Sequence, residues 1–219
     1  MASSTVENYL KAILRLQEAS GSTSVGVIAR ELDVTPGTVT TMMRHLSERG
    51  MVDYVPRRGV RLLPEGRMTA LKVVRRHRLI ELFLVQVMEL DWSEVHEEAE
   101  ILEHVVSDRL LDRIDKMLGE PTHDPHGDPI PDRDGKIVSV VASPLAEMED
   151  GDYRVVRVSD EDSALLGWLN QNGLTIGEEF ELTHPNRAAG VLEIARRGGD
   201  CVQLGIKEAE QVFVEALSS

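Results

Sequence analysis

The chain has one cysteine, Cys201, in 219 residues. An intramolecular disulfide framework is therefore excluded, and a reducing compartment fits. Long apolar runs are missing too. The longest apolar-rich stretch, LIELFLVQVMEL at 79–90, carries Glu81, Gln86 and Glu89 and is shorter than the roughly 20 residues a bilayer requires. Residues 1–7 have neither the basic start nor the apolar core of a secretory signal. A cytoplasmic protein with no membrane partner is expected. Catalytic signatures are also absent. There is no G-x-S-x-G, no phosphate-cradling glycine loop and no Cys/His dyad, and the stretch beginning His96-Glu97 reads H-E-x-x-E, not the H-E-x-x-H of a zinc protease. No residue is assigned a catalytic role, and an enzyme is not expected.

What is present is an ordinary globular composition, 42% hydrophobic and 28% charged, with an uneven charge. The net charge is −14, yet residues 1–78 hold 13 of the 24 Lys/Arg and only 7 of the 38 Asp/Glu. The remaining residues, 79–219, hold 11 basic against 31 acidic groups. A basic first third on an acidic remainder points to an anion-binding module joined to one that binds cations or merely keeps the protein soluble.

Apolar spacing predicts a helix over 5–20 with Thr5 as its N-cap, a second over 24–34, and a third over 35–52. The third opens Thr35-Pro36, an N-cap followed by proline at the first helical position, and Gly50 marks its stop. MVDYV (51–55) and VRLLP (60–64), joined by PRRG, read as a β-hairpin with a basic tip. Helical patterning returns over 65–90 and over 92–118. Residues 119–136 contain four prolines and three glycines and predict an irregular linker or extended connecting loop. Short strand-like runs follow around one helix at 160–173, as in a small β-barrel. The expected fold class is α+β. Its parts are a winged helix-turn-helix at 1–64, a helical domain at 65–120, a linker at 121–145 and a small β-barrel at 146–219.

In a winged helix-turn-helix the second helix of the pair enters the major groove with its N-terminal residues against base edges. Here these are Thr35, Pro36, Gly37, Thr38, Thr40 and Thr41, suited to methyl contacts and hydroxyl hydrogen bonds. Arg44 and His45 lie one turn on, toward phosphate. Arg57 and Arg58 at the wing tip would neutralise phosphates or enter the minor groove. The competing reading is a three-helix module used for protein contact.

HEEAEILEH at 96–104 crowds two imidazoles and four carboxylates into nine residues. On a helix, at about 100° per residue, His96, Glu100, Glu103 and His104 share an arc of about 100°, while Glu98 points away. Like charges three apart destabilise a helix unless something compensates, and a divalent cation would. His77 and Glu81 form a second i,i+4 pair, and the proline-rich segment adds His123, Asp124 and His126. The bland alternative is a solvated acidic face.

The chain resembles the diphtheria-toxin-repressor family of metal-dependent regulators, and within it the manganese-transport-regulator branch. The resemblance rests on VENYL (6–10), VIARELDVTPGTVTTMMRHL, RRHRLIE (75–81) and, most specifically, VHEEAEILEHVVSD (95–108). It implies that 65–120 is a metal-binding and dimerisation domain and that the barrel at 146–219 is SH3-like. It implies a primary metal site from Asn8, Glu100, Glu103 and His104, with His77 beside it. It implies a second site from His77, Glu81 and His96, joined by Asp124, His126 and an acid near Asp160, with Glu161 and Asp162 as rivals. Glu100 stands where the iron-responsive prototype has cysteine, Asn8 where the manganese branch has aspartate, and Asp124 where some long members have cysteine. Hard oxygen donors favour Mn²⁺, with Fe²⁺ second and Co²⁺ or Zn²⁺ able to substitute in vitro. The expected protein is a homodimeric repressor of metal-uptake genes that binds a palindromic double-stranded DNA operator when loaded with metal. The alternatives are a winged-helix regulator controlled by an organic ligand or partner protein, and a metal-binding protein without specific DNA binding.

Overall fold

A computed structural model describes residues 3–138, 141–160, 162–186, 190–196 and 201–217. Two compact units emerge. One comprises Met1–His77 with Glu103–Val106 and Pro131–Ile137, and the other Arg78–Leu102, Ser107–Ile130 and Val138–Ser219.

In the first unit, α1 (Ser4–Ser20) is capped two residues earlier than its pattern predicts. Ser3, not Thr5, accepts the N–H of Val6 at 3.4 Å, and Gly21 ends the helix at φ +75°. Its apolar stripe of Val6, Tyr9, Leu10, Ile13 and Leu14 is buried. α2 (Val25–Glu31) and α3 (Pro36–Glu48) start on the side-chain oxygens of Ser24 and Thr35. Val39, Met43 and Leu46 of α3 join that core with Ile28 of α2 and Val52 and Val60 of the hairpin. The hairpin pairs β1 (Val52–Val55) antiparallel to β2 (Gly59–Leu62), with Arg57 at its tip at φ +67°. α4 (Pro64–Gln86) follows at once. Its Gly66 lies so close to the Met51 carbonyl that a Cβ there would stand 2.1 Å from the oxygen.

The second unit corrects the single helix expected over 92–118. α5 (Val95–Leu102) stops, and α6 (Asp108–Met117) starts afresh. The β-branched pair Val105-Val106 precedes Ser107, whose side chain accepts the Leu110 N–H at 3.3 Å. With Asp108 in the first turn, that is a complete N-terminal signal, and it outcompetes continuation of the helix. Glu103 and His104 thus stand in the turn after α5, not on the helix. Residues 119–130 are irregular, as their prolines require, but packed: Asp124, His126, Gly127 and Ile130 are buried.

The rest of this unit is a six-stranded antiparallel sheet in the order β3-β8-β4-β5-β6-β7. The strands are β3 (Ser143–Pro144), β4 (Gly151–Val158), β5 (Glu179–Asn186), β6 (Val191–Arg196), β7 (Cys201–Gly205) and β8 (Val212–Ala216). A 3-10 turn (Leu145–Glu147) follows β3, α7 (Ser163–Gln171) lies between β4 and β5, and α8 (Ile206–Ala209) between β7 and β8. Val155, Phe180, Leu182, Ile194 and Val214 of the sheet pack with Leu166 and Leu169 of α7 and with Trp92. Each fully buried side chain of this size contributes about 1.5–3 kcal/mol. The architecture is the α+β arrangement expected. Among the described residues no helix is long and apolar enough to cross a membrane.

Candidate metal centres and nucleic-acid interface

Two groups of donor side chains form, one in each unit. In the first unit the Glu103 side chain is wholly buried and its two oxygens have different surroundings. Oε2 accepts from His77 Nδ1 at 2.6 Å and from the Lys11 ammonium at 2.8 Å. Oε1 has no hydrogen-bond partner and stands 3.4 Å from His104 Nε2, which has none either. His104 Nδ1 meets Glu7 Oε2 at 2.8 Å. With Nδ1–H donating to Glu7, the Nε2 lone pair is the one left for a ligand. Glu7 is held in turn by Arg76 Nη2 at 3.3 Å, and Arg76 Nη1 donates to the Glu103 carbonyl. Asn8, the next residue along α1, has a buried Oδ1 without a partner.

Buried polar atoms are almost always paired. Three unpaired acceptors on Asn8, Glu103 and His104 in one small unit form a donor set that a cation would satisfy. Burial pushes the Glu103 carboxyl up, but the His77 hydrogen bond and the Lys11 charge outweigh it and hold the group below the usual carboxylate range. It is ready to ligate as an anion.

In the second unit Glu81, wholly buried, is the hub. Its Oε1 lies 3.3 Å from His96 Nδ1, which is also 3.3 Å from Asp160 Oδ2. Its Oε2 lies 4.0 Å from His126 Nδ1. Ligand atoms of Glu81, Asp124 and His126 all fall within 4.8 Å of one another. His126 Nε2 meets the Trp92 carbonyl at 2.8 Å and can only donate to it, so Nδ1, buried and without a hydrogen-bond partner, carries the free lone pair. The His126 ring also stacks on Trp92, centroids 5.5 Å apart.

Hydrogen bonds that the His96 ring donates to Asp160 and Glu81 raise its pKa to about 10, against the pull of burial. Burial pushes the Asp124 carboxyl well up, the charges of Glu81 and Asp128 add to this, and Arg78 opposes it. Asp128 is raised by burial as well, with Arg78 and Arg157 opposing. This cluster holds more negative charge than its own cations balance comfortably, which is the electrostatic condition a divalent ion relieves.

The expected ligands are thus placed unequally. Glu103 and His104 meet, Asn8 lies in the same unit, and His77 is engaged with Glu103. Glu81, His96 and Asp160 meet, and so do Glu81, Asp124 and His126. Glu100 sits on α5 with Oε1 3.9 Å from His96 Nε2, and Glu98 is exposed as expected. Of Asp160's rivals, Asp162 is engaged as the N-cap of α7, accepting the Leu165 N–H at 3.0 Å, and Glu161 lies outside the described residues. Glu7, Lys11 and Arg76 were not foreseen. The only hint was that Glu7 and Lys11 flank Asn8 one turn apart on α1, too slight a signal without knowing what faces them.

At the start of α3 in the first unit, Thr35, Pro36, Gly37, Thr38 and Thr41 are exposed and Thr40 is half-buried. Thr40 and Thr41 donate their hydroxyl protons to the carbonyls of Pro36 and Gly37 at 2.8 and 3.1 Å. They therefore present methyl groups and acceptor oxygens outward, not donors. Arg44, Arg57 and Arg58 are exposed. A cleft of 390 Å³ lies between the wing and the start of α2, lined by Ser22, Ser24, Tyr54, Arg57 and Arg58 among others.

Comparison with known proteins matches most of the chain in three pieces. Residues 1–60 match the model "Iron dependent repressor, N-terminal DNA binding domain". Residues 63–132 match "Iron dependent repressor, metal binding and dimerisation domain", and 143–216 match "FeoA domain". The diphtheria toxin repressor of Corynebacterium efficiens is 32% identical over 189 residues, covering 81% of this chain and 82% of that protein. The iron-dependent repressor IdeR of Mycobacterium tuberculosis is 39% identical over 127 residues, 58% of this chain and 55% of that one. A solved structure described as a manganese-dependent transcriptional repressor in complex with manganese superposes with a TM-score of 0.90 at 38% identity, covering 97% of this chain and 100% of that one.

Proposed function

Because the chain belongs to the iron-dependent (diphtheria toxin) repressor family, whose members are metal-dependent DNA-binding transcriptional repressors and not enzymes, we propose that Mn²⁺ is its activating ion, with Fe²⁺ second. The observation that carries this is the donor chemistry. Every candidate ligand is a carboxylate, an amide oxygen or an imidazole, and the one cysteine lies exposed on β7. Hard oxygen-rich sets suit Mn²⁺, and no thiolate is present among the candidates to favour softer ions.

The primary centre consists of Asn8, Glu103 and His104, completed by Glu100 three residues up the chain from Glu103. The second consists of Glu81, His96, Asp124, His126 and Asp160, with His77 as a further candidate ligand. A bound divalent ion supplies positive charge that links donors from separate parts of the chain. Asn8 stands on α1, which packs with α2 and α3 in one core, while Glu103 and His104 come from the turn after α5. Holding these together favours the conformation in which α3 can read DNA, a population shift limited by the ion's differential affinity for the two states.

α3 enters the major groove through Thr35, Pro36, Gly37, Thr38, Thr40 and Thr41, with Arg44, Arg57 and Arg58 on phosphates. As a homodimer the protein presents two such helices to a palindromic operator, with half-sites about 34 Å apart. The stripe at 79–90 divides accordingly. Leu79, Ile80, Leu82 and Leu84 are buried, whereas Val87, Met88 and Leu90 are exposed, as are Ile101, Leu110 and Met117. We place the contact between the two copies on these exposed apolar groups, in the match to the dimerisation domain. The protein acts in the cytoplasm on metal-uptake genes.

The test is operator binding by fluorescence anisotropy against Mn²⁺, Fe²⁺, Co²⁺ and Zn²⁺ in parallel, with Glu103→Ala and His104→Ala. Affinity is expected to rise with metal, first with Mn²⁺, and to collapse in both variants. Equal affinity with and without chelator refutes metal control, and a stronger response to Fe²⁺ at equal free concentration refutes the manganese assignment.

A further inference from the structure

Lys11 is the cation that meets the Glu103 carboxylate in the first donor group. Its ammonium stands 2.8 Å from Glu103 Oε2 and 3.1 Å from His77 Nδ1. Lysine can only donate, so ammonium and imidazole N–H lie side by side on one carboxylate oxygen. Glu103 is 0% exposed and Lys11 21% exposed, so this pair is poorly screened on its inner side.

We propose that Lys11 is a tethered counter-cation of the primary metal centre, competing with the metal for Glu103 and thereby setting the ion concentration at which the repressor switches. The inference rests on the metal reading given above. A carboxylate that a metal needs already carries one positive charge on one oxygen. A second cation arriving at Oε1 meets repulsion from the first across a few ångströms of low-dielectric interior, where the Coulomb energy falls only as 1/r. The ammonium also keeps Oε2 occupied, so Glu103 offers Oε1 alone, the oxygen that faces His104. Before metal arrives, the same charge keeps a buried anion tolerable. Lys11 is therefore a positioning residue. It weakens the site but keeps it assembled, and a neutral residue there would shift the switch to lower metal.

The experiment uses the full-length protein, wild type and Lys11→Met, Lys11→Gln and Lys11→Arg, stripped with chelator and titrated with MnCl₂ by calorimetry. Lys11→Met is expected to bind the primary-site Mn²⁺ about tenfold or more tightly, because one unit of repulsion is gone. Lys11→Arg, which keeps the charge, stays near wild type. Melting curves add a readout, since losing a plain structural salt bridge lowers the melt in chelator without enlarging the gain from metal. Lys11→Met melts lower than wild type in chelator but gains more from saturating Mn²⁺. If Lys11→Met does not fold, Lys11→Gln is read in the same way. An unchanged or weaker isotherm in a folded neutral variant overturns the proposal. His104→Ala, run alongside, separates the two levels. If His104→Ala removes no binding event, the metal reading itself falls. If it removes one event that Lys11→Met leaves unaltered, only the role of Lys11 falls.

Discussion

Gly127→Ala tests how the second centre is built. Gly127 sits between His126 and Asp128 at φ +84°, and a Cβ there would lie 2.1 Å from the Val156 carbonyl oxygen and 3.0 Å from Arg157 Cα. The segment is pinned against β4 by the Val158 N–H donating to the His126 carbonyl at 2.9 Å, and by Arg157 Nη1, 3.5 Å from Asp128 Oδ1. Alanine would pay roughly 1–2 kcal/mol for left-handed backbone and about 1 kcal/mol for the displaced hydrogen bond. The clash is with backbone, so the segment must also move by about an ångström, and the expected total is roughly 3 kcal/mol or more. Denaturant unfolding of the chelated protein measures this loss. Because His126 and Asp124 travel with the segment, calorimetric titration with Mn²⁺ should also lose the second-site event and keep the primary one. An alanine variant with wild-type stability and both binding events would refute the claim that close packing of this segment on β4 positions the ligands.

Two further outcomes follow from individual groups. His96 has its pKa raised from 6.5 to about 10 by Asp160 and Glu81. Its stabilisation of the metal-free fold is therefore fully present below about pH 6.5 and is lost as pH rises toward 10. Metal must displace that proton, so second-site Mn²⁺ affinity should climb over the same window. Thermal melts of chelated His96→Gln and wild type at pH 6 and pH 10 check the first point, and an advantage that persists unchanged at pH 10 contradicts it. Asp160→Ala and Asp162→Ala should separate ligand from cap. Asp160→Ala loses second-site metal binding, whereas Asp162→Ala keeps it and costs about 1 kcal/mol of stability through α7. The reverse pattern, in titration and denaturation, would reassign the ligand.

Much of this was legible along the chain. Thr35-Pro36 opens α3 as its local signal demands, since an N-cap and a first-turn proline act within four residues. The hairpin and strands β4 to β7 were visible for the same reason, whereas β3 and β8 were not. The stretch 96–104 was identified as a donor cluster, but for a partly wrong reason. Helical projection put all four groups on one face, whereas the helix ends at Leu102 and the turn delivers Glu103 and His104. Ser107-Asp108 carried that break, and an apolar period running across it concealed the signal. The proline-rich segment was rightly read as irregular. That it is packed, with His126 against Trp92 and Asp124 near Glu81, depends on residues 30 to 45 positions away, which no local pattern encodes.

The sequence by itself therefore determined the modules, the charge division between them, and the donor types that exclude thiolate chemistry at the metal. These follow from local propensity and composition. Tertiary structure alone decided which donor atoms remain unpaired, namely Oε1 and not Oε2 of Glu103, Nε2 of His104 and Nδ1 of His126, and it set Asp160 beside His96 while Asp162 caps α7. It also placed Lys11 on Glu103, 92 residues away. The physical reason is that a lone pair is available only after every nearby donor has been assigned, and most of those donors come from distant parts of the chain.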